Sequence, residues 1–271
     1  MEKSTLILYH AHCYDGFGAA WVAWQRFQDD AEYVPVSYGH EVPRINGYTN
    51  LHILDFSYPR ETLLQWREQL PGDLWVVDHH KTAEEDLRGL PFVKFDMAHS
   101  GATLAFNHFF PERQDMPELL RYVEDRDLWR FTLPHSREVS AWLHSHPMDF
   151  EVWCELTRTL RNDQRAVVAE GAAICRFQHQ QVEQMCQHVR WRELAGCRIP
   201  YVNATLFQSE VGHALCERFP EAPFVACYLD RADGKRQWSL RGRGTFDVSA
   251  IAKQLGGGGH YSAAGYTEDL L

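Results

Sequence analysis

Short apolar runs alternate with stretches of helical periodicity through the first part of the chain. Thr5 to His10, Tyr33 to Val36, Leu51 to Leu54, Leu74 to Val77 and Phe92 to Phe95 have strand length and strand composition. Between them, Phe17 to Phe27 carries Ala, Trp and Val at helical spacing. Pro59 to Leu70 predicts a helix with Pro in its first turn, where a missing N–H does no harm. Strands separated by helices of about ten residues predict βαβ units, hence an α/β fold: a mostly parallel sheet with helices on both faces.

From Ser100 the pattern turns helical: Gly101 to Phe109, Pro117 to Trp129, Ser136 to Leu143, and a long stretch from about Asn162 to Val189. After Glu193-Leu194-Ala195-Gly196, strand character returns at Arg198 to Val202, Phe224 to Tyr228 and Gln237 to Leu240, with a helix near Ser209 to Phe219. The chain finishes with Val248 to Leu255, a glycine run and Tyr261 to Ala264. This pattern predicts one lobe over 1–150, a helical linker over 151–190 and a smaller α/β lobe over 191–271.

The strands matter for what they carry at their ends. The first runs into His10-Ala11-His12-Cys13-Tyr14-Asp15-Gly16, the third into Asp55-Phe56-Ser57, and the fourth into Asp78-His79-His80. In open α/β sheets, ligands collect outside the carboxyl ends of the strands. A single Asp there is more often a turn former or a helix cap. Successive strands each ending in Asp or His point instead to a metal site, and the helix around Asp125 and Asp127 supplies further acids. Carboxylates and imidazoles suit Mn²⁺, Mg²⁺ or Fe²⁺. A shared Asp can bridge ions about 3.5–4 Å apart, the arrangement that promotes in-line displacement at phosphorus.

Composition narrows the partners. At 271 residues, 45% hydrophobic and 24% charged, the chain can bury a sizeable core. Its net charge of −10 argues against a protein that coats long nucleic acid by neutralising phosphates. A small anionic substrate at a local metal site stays compatible. The seven cysteines are scattered, with neither a disulfide framework nor a zinc-ribbon spacing. That usage, the lack of a signal-peptide pattern and the lack of an apolar run of about 20 residues predict a cytoplasmic protein.

Near the end, Leu255-Gly256-Gly257-Gly258-Gly259-His260 is followed by Ala263-Ala264-Gly265. Glycines allow close backbone approach and can form an anion-binding nest. Upstream, Arg241 and Arg243 end a strand, and Arg is the usual fork for phosphate.

The ordered set HCYDG, LDFS, VVDHHKT, VEDRDLW and LGGGGHYSAAGY resembles the DHH phosphoesterase superfamily with its DHH-associated C-terminal domain of the first subtype. The resemblance runs from Leu6 to Gly265. It implies a DHH catalytic lobe and a substrate-binding second lobe, with two metal ions, Mn²⁺ first and Mg²⁺, Fe²⁺ or Zn²⁺ as alternatives. It implies His10 or His12, Cys13, Asp15, Asp55, His79 and Asp125 as metal ligands, with Asp55 bridging and Asp125 preferred over Asp127. Asp78 would orient the histidines and His80 would face the scissile phosphate. Arg241 would stabilise developing charge and, with Gly257, Gly258, Gly259 and His260, grip the nucleotide. One departure stands out: the family carries Asp where this chain has Cys13. A thiolate is softer than a carboxylate and tilts a site toward Zn²⁺ or Fe²⁺; a Cys13 that does not ligate leaves one site weak or missing.

The expected activity is hydrolysis of short single-stranded oligonucleotides or dinucleotides to nucleoside monophosphates, with no membrane partner and a homodimer allowed. Alternatives are a 3′-phosphoadenosine phosphate phosphatase, a polyphosphate hydrolase, or a catalytically weak nucleotide-binding protein.

Overall fold

In the computed structural model, which describes residues 3–270, the chain divides into two units, one ending at Cys175 and one starting at Arg176. The first contains β1 (Thr5–His10), α1 (Tyr14–Phe27), β2 (Ala31–Val36), β3 (Asn50–Leu54), α2 (Arg60–Gln69), β4 (Leu74–Asp78), α3 (Lys81–Leu87) and β5 (Val93–Phe95). Then come α4 (Gly101–Phe109), α5 (Glu118–Asp127), α6 (Ser136–His144) and α7 (Phe150–Asn162). The unit boundary falls within α8 (Gln164–Met185).

Among the described residues the first sheet has the order β2-β1-β3-β4-β5, and every pair is parallel. Its strands alternate sides residue by residue. Ile7, Leu54 and Val77 join one core with Phe17, Trp21, Ala102, Leu120 and Trp153. Leu6, Leu8, Ile53 and Val76 join the other with Leu63, Trp66 and Leu87. Both faces are covered, which is why these strands read as continuous apolar runs rather than alternating ones. The mostly parallel sheet with flanking helices is therefore the observed architecture.

The second unit contains β6 (Arg190–Leu194), β7 (Cys197–Asn203), α9 (Gln208–Arg218), β8 (Phe224–Asp230), β9 (Lys235–Gly242), α10 (Val248–Gln254), β10 (Gly258–Gly259) and β11 (Ala263–Asp269). They form a mixed sheet in the order β10-β11-β9-β8-β7-β6. No helix among the described residues is long and apolar enough to cross a membrane.

Besides α3, which the sequence pattern did not predict, two segments differ from the sequence expectation. Residues from 151 onward do not start a linker: α7 buries Trp153, Leu156 and Leu160 in the first unit's core. That spacing is one helical face, and Asp149 caps it by accepting from the Val152 N–H at 3.0 Å. The hairpin strand β6 is the other, hidden by its mostly exposed Arg-Trp-Arg-Glu composition.

Candidate metal centre

The carboxyl ends of β1, β3 and β4 and the first turn of α1 converge as expected. Asp55 follows β3 in the left-handed region, at φ 54°, a conformation that costs a non-glycine residue energy and clusters at functional sites. Its two oxygens face opposite ways. Oδ2 lies 3.3 Å from His10 Nδ1, and Oδ1 lies 3.1 Å from His79 Nε2. Cys13 joins His10 and Asp55 in one donor cluster, with ligand atoms within 4.8 Å of one another, and Asp15, Asp55 and His79 form another. His79 Nε2 also lies 3.5 Å from Asp15 Oδ2 and 3.7 Å from Asp127 Oδ2. Asp15, Asp55, Asp78 and His79 are all buried.

Asp15 is held from the other side by α4. The Gly101 and Ala102 N–H groups donate to its Oδ2 and Oδ1 at 2.5 and 2.9 Å. A helix N-terminus is a natural seat for a carboxylate. Glu124 in turn clamps the approach to α4, accepting from the Ser100 N–H at 3.1 Å while Arg130 donates to it and to the Ala98 carbonyl.

Asp78 touches the site through its neighbours. Its Oδ2 accepts from Ser57 Oγ at 2.6 Å; its Oδ1 accepts from the His79 N–H at 2.8 Å and pairs with His80 Nδ1 at 2.7 Å. The bonds orient the His80 ring and commit Nδ1 to the carboxylate. Burial works against the Asp78 charge, but the His80 partner outweighs it and holds the acid below its ordinary range.

The electrostatics show too little positive charge among the acids. Burial first, then the charges of Asp127 and Asp55, push the Asp15 carboxyl well above the usual carboxylate range. Asp127 is raised as well, by burial foremost. Burial would also raise Asp55, yet the His10 and His79 hydrogen bonds hold it well below that range. Burial opposes a charge on His79, but Asp55, Asp127 and Asp15 together push its pKa up to about 11. Cations at these clusters would relieve the repulsion. The spacing fits them: cis ligands about 2.1 Å from one ion lie about 3 Å apart, and tetrahedral ones about 3.4 Å apart. The buried Asp and His groups could thus hold metal ions.

Two sequence expectations change. Asp125 lies outside the cluster, because its carboxylate is consumed by the loop after α5: it accepts from the Thr132 N–H, Thr132 Oγ1 and the Leu133 N–H at 2.9, 2.8 and 3.1 Å. Asp127 is the α5 acid beside His79. Between the two histidines left open, His10 reaches Asp55, whereas His12 takes the left-handed region at φ 55° and is exposed. Gly101, Glu124 and Ser57 had been missed. Gly101 in Ser100-Gly101-Ala102 carried a legible signal, a glycine directly behind a helix-capping Ser.

In the second unit, Arg241 is fixed by Ser239 Oγ, the Leu240 carbonyl and Ser209 Oγ at 3.0, 2.9 and 2.9 Å. The glycine run has an architectural explanation. Gly256 takes φ 80° after α10, and the Gly256 and Gly257 N–H groups return to the Lys253 and Ala252 carbonyls, a Schellman cap. A Cβ on Gly257 would lie 2.0 Å from the Gly265 carbonyl oxygen. Gly258 and Gly259 pair with Gly265 and Ala264, and the His260 N–H closes the hairpin onto the Ala263 carbonyl at 2.8 Å.

No protein-family profile matches the chain. An uncharacterized protein, R106, of Acanthamoeba polyphaga mimivirus is 28% identical over 293 residues, covering 97% of this chain and 67% of R106. Among solved structures, the exonuclease RecJ bound to manganese matches with a TM-score of 0.53 at 16% identity, covering 98% of this chain and 86% of that one. An exopolyphosphatase-related protein from Bacteroides fragilis matches with a TM-score of 0.52 at 13% identity, over the same 98% and 86%. These likenesses show the fold alone: the chain shares it with RecJ and with the exopolyphosphatase-related protein.

Proposed function

We propose that this protein is a divalent-metal-dependent phosphodiesterase that cleaves short single-stranded oligonucleotides or dinucleotides to nucleoside monophosphates. The observation that carries the reading is the position of Asp55, which offers one oxygen to each of two donor clusters, as a bridging carboxylate can. A fold shared with a manganese-bound exonuclease supports it. One ion would be held by His10, Cys13 and Asp55, and a second, for which Mn²⁺ is the leading candidate, by Asp15, Asp55, His79 and Asp127. When bound, such a pair supplies Lewis-acid activation of water and of the phosphoryl oxygens.

The chain's own residues do the rest. Asp78 engages His80 at Nδ1, so Nε2 is the ring nitrogen that would donate to a phosphate oxygen as charge builds. Ser57 and the His79 N–H keep Asp78 in place for that role. Gly101 and Ala102 keep Asp15 pointed at His79. In the second unit, Arg241, Gly257, Gly258, Gly259 and His260 are proposed to bind the nucleotide, with Arg241 as the anion ligand.

The test is a hydrolysis panel with purified protein: dinucleotides, short oligonucleotides, 3′-phosphoadenosine phosphate and polyphosphate, each with Mn²⁺, Mg²⁺ or Zn²⁺. Expected are Mn²⁺-dependent cleavage of dinucleotides to monophosphates, loss with chelator, and a drop in kcat of at least about 100-fold for His80→Ala. Unchanged turnover in His80→Ala sinks the mechanism. Phosphate release from the monoester or polyphosphate without shortening of dinucleotides replaces the substrate assignment. Nucleotide binding without turnover in any metal removes the catalytic reading.

A further inference from the structure

We infer that the two halves of the centre take different metals: His10, Cys13 and Asp55 form a Zn²⁺ site, and Asp15, Asp55, His79 and Asp127 form a Mn²⁺ or Mg²⁺ site. The inference rests on the two-cation reading above and deepens it by assigning each ion. Its basis is the contrast between donor sets that share one carboxylate. The second cluster offers three carboxylates and one imidazole, the hard set preferred by Mn²⁺ and Mg²⁺. The first offers a thiol, an imidazole and a single carboxylate, and a thiolate ligand selects Zn²⁺ over hard cations.

The three donors are spaced for a small ion such as tetrahedral Zn²⁺. With Zn–N, Zn–O and Zn–S bonds near their usual lengths, neighbouring ligands lie about 3.4–3.6 Å apart. His10 Nδ1 and Asp55 Oδ2 already stand 3.3 Å apart. Cys13 Sγ lies within 4.8 Å of both partners' ligand atoms, so closing the site needs each separation to shorten by at most about 1.4 Å.

The thiol comes from a fixed position. Cys13 is the residue before α1, with extended backbone at φ −123° and ψ 131°, and its carbonyl accepts the Phe17 N–H at 2.9 Å. The other cysteines lie elsewhere. Cys186 and Cys227 are buried in the second unit's core, and Cys154 and Cys175 sit on α7 and α8. Among the described residues, Cys13 is the one cysteine within a cluster of metal-capable donors. On binding, its Sγ–H proton leaves to solvent and the thiolate takes the ion.

Full-length protein stripped with chelator is titrated with Co²⁺, a spectroscopic stand-in for Zn²⁺, and separately with Mn²⁺ before and after Zn²⁺ saturation. Wild type should show a sulfur-to-cobalt charge-transfer band. Cys13→Ser should lose it, and Cys154→Ser should keep it. After Zn²⁺ saturation, wild type should bind one Mn²⁺ per chain. Cys13→Asp should lack the band and bind two Mn²⁺, the second at least tenfold tighter than in wild type without Zn²⁺. Circular dichroism confirms the fold of each variant, and wild type with Cys13→Asp decide the matter should Cys13→Ser not fold.

Two equivalents of Co²⁺ bound without the band, or a band that survives in Cys13→Ser or Cys13→Asp, overturns the zinc assignment and leaves the two-cation centre standing. Two equally tight Mn²⁺ sites in wild type does the same. No calorimetric binding of any divalent ion overturns the two-cation reading itself, and the assignment falls with it.

Discussion

Asp125 and Asp127 stand two residues apart on α5, about 200° around the helix axis, so the two cannot serve one cluster. Asp125 faces the loop that follows the helix and ties down Thr132 and Leu133, while Asp127 faces His79. Substitution separates the roles. Asp127→Asn should weaken Mn²⁺ binding at least tenfold by calorimetry and leave the apo unfolding midpoint nearly unchanged. Asp125→Asn should leave Mn²⁺ affinity within a few-fold and cost about 1–3 kcal/mol of stability, because it weakens the acceptor for buried backbone donors. The reverse pattern would show that Asp125 is the ligand. Sequence alone could place an acid on this helix near the site, but the choice depended on which way the helix is rotated against β4, a tertiary fact.

At the scale of elements, the N-terminus of α4 is built against the Asp15–Asp55–His79 donor cluster. A Cβ on Gly101 would lie 2.5 Å from Asp55 Cβ and 2.8 and 2.9 Å from Asp55 Oδ1 and Asp15 Oδ2. Glycine is required here by close approach, since these atoms have no room to recede. Gly101→Ala should therefore displace both carboxylates. Mn²⁺ should raise the melting temperature of wild type, and the rise should shrink or vanish in Gly101→Ala, with the apo protein still folded by circular dichroism. A Gly101→Ala protein with wild-type Mn²⁺ affinity would show that α4 is packing rather than positioning. The glycine run before His260 teaches the opposite lesson. Its composition suggested an anion nest, yet Gly256 serves as a helix stop and Gly257 packs against a neighbouring strand. One-dimensional glycine patterns do not distinguish these uses, because each requires the same missing side chain.

For the molecule as a whole, histidines held neutral away from the donor clusters make acid sensitivity a property of the fold. Burial foremost lowers His52 to about 3 and His108 to about 4. His52 Nδ1 and His108 Nε2 pair at 3.3 Å, and Lys94 Nζ lies 3.0 Å from His108 Nδ1, so neither ring gains by taking a proton. A histidine whose folded pKa lies below its unfolded value binds fewer protons folded than unfolded. Stability is then complete above about pH 6.5 and is lost as pH falls toward the folded value. For His52, which is 8% exposed, the loss between pH 7.5 and pH 5 should be about 2 kcal/mol. Urea midpoints of the metal-free protein at the two pH values measure it. His52→Gln should flatten the dependence, and an unchanged slope in that variant would remove His52 as its source.

Local pattern determined the strand–helix alternation, the parallel sheet and the delivery of Asp15, Asp55 and Asp78-His79-His80 to one edge. Apolar runs buried on both faces and polar groups directly after them leave few other solutions. The chain order also determined that Cys13 would stand near the first ligands. The tertiary structure alone decided that Asp55 splits its oxygens between two clusters, that Asp127 rather than Asp125 turns inward, and that α4 holds Asp15. These depend on helix rotation and on contacts between residues 24 to 87 positions apart. Such contacts have no local signature, because each partner fits its own segment equally well in other pairings.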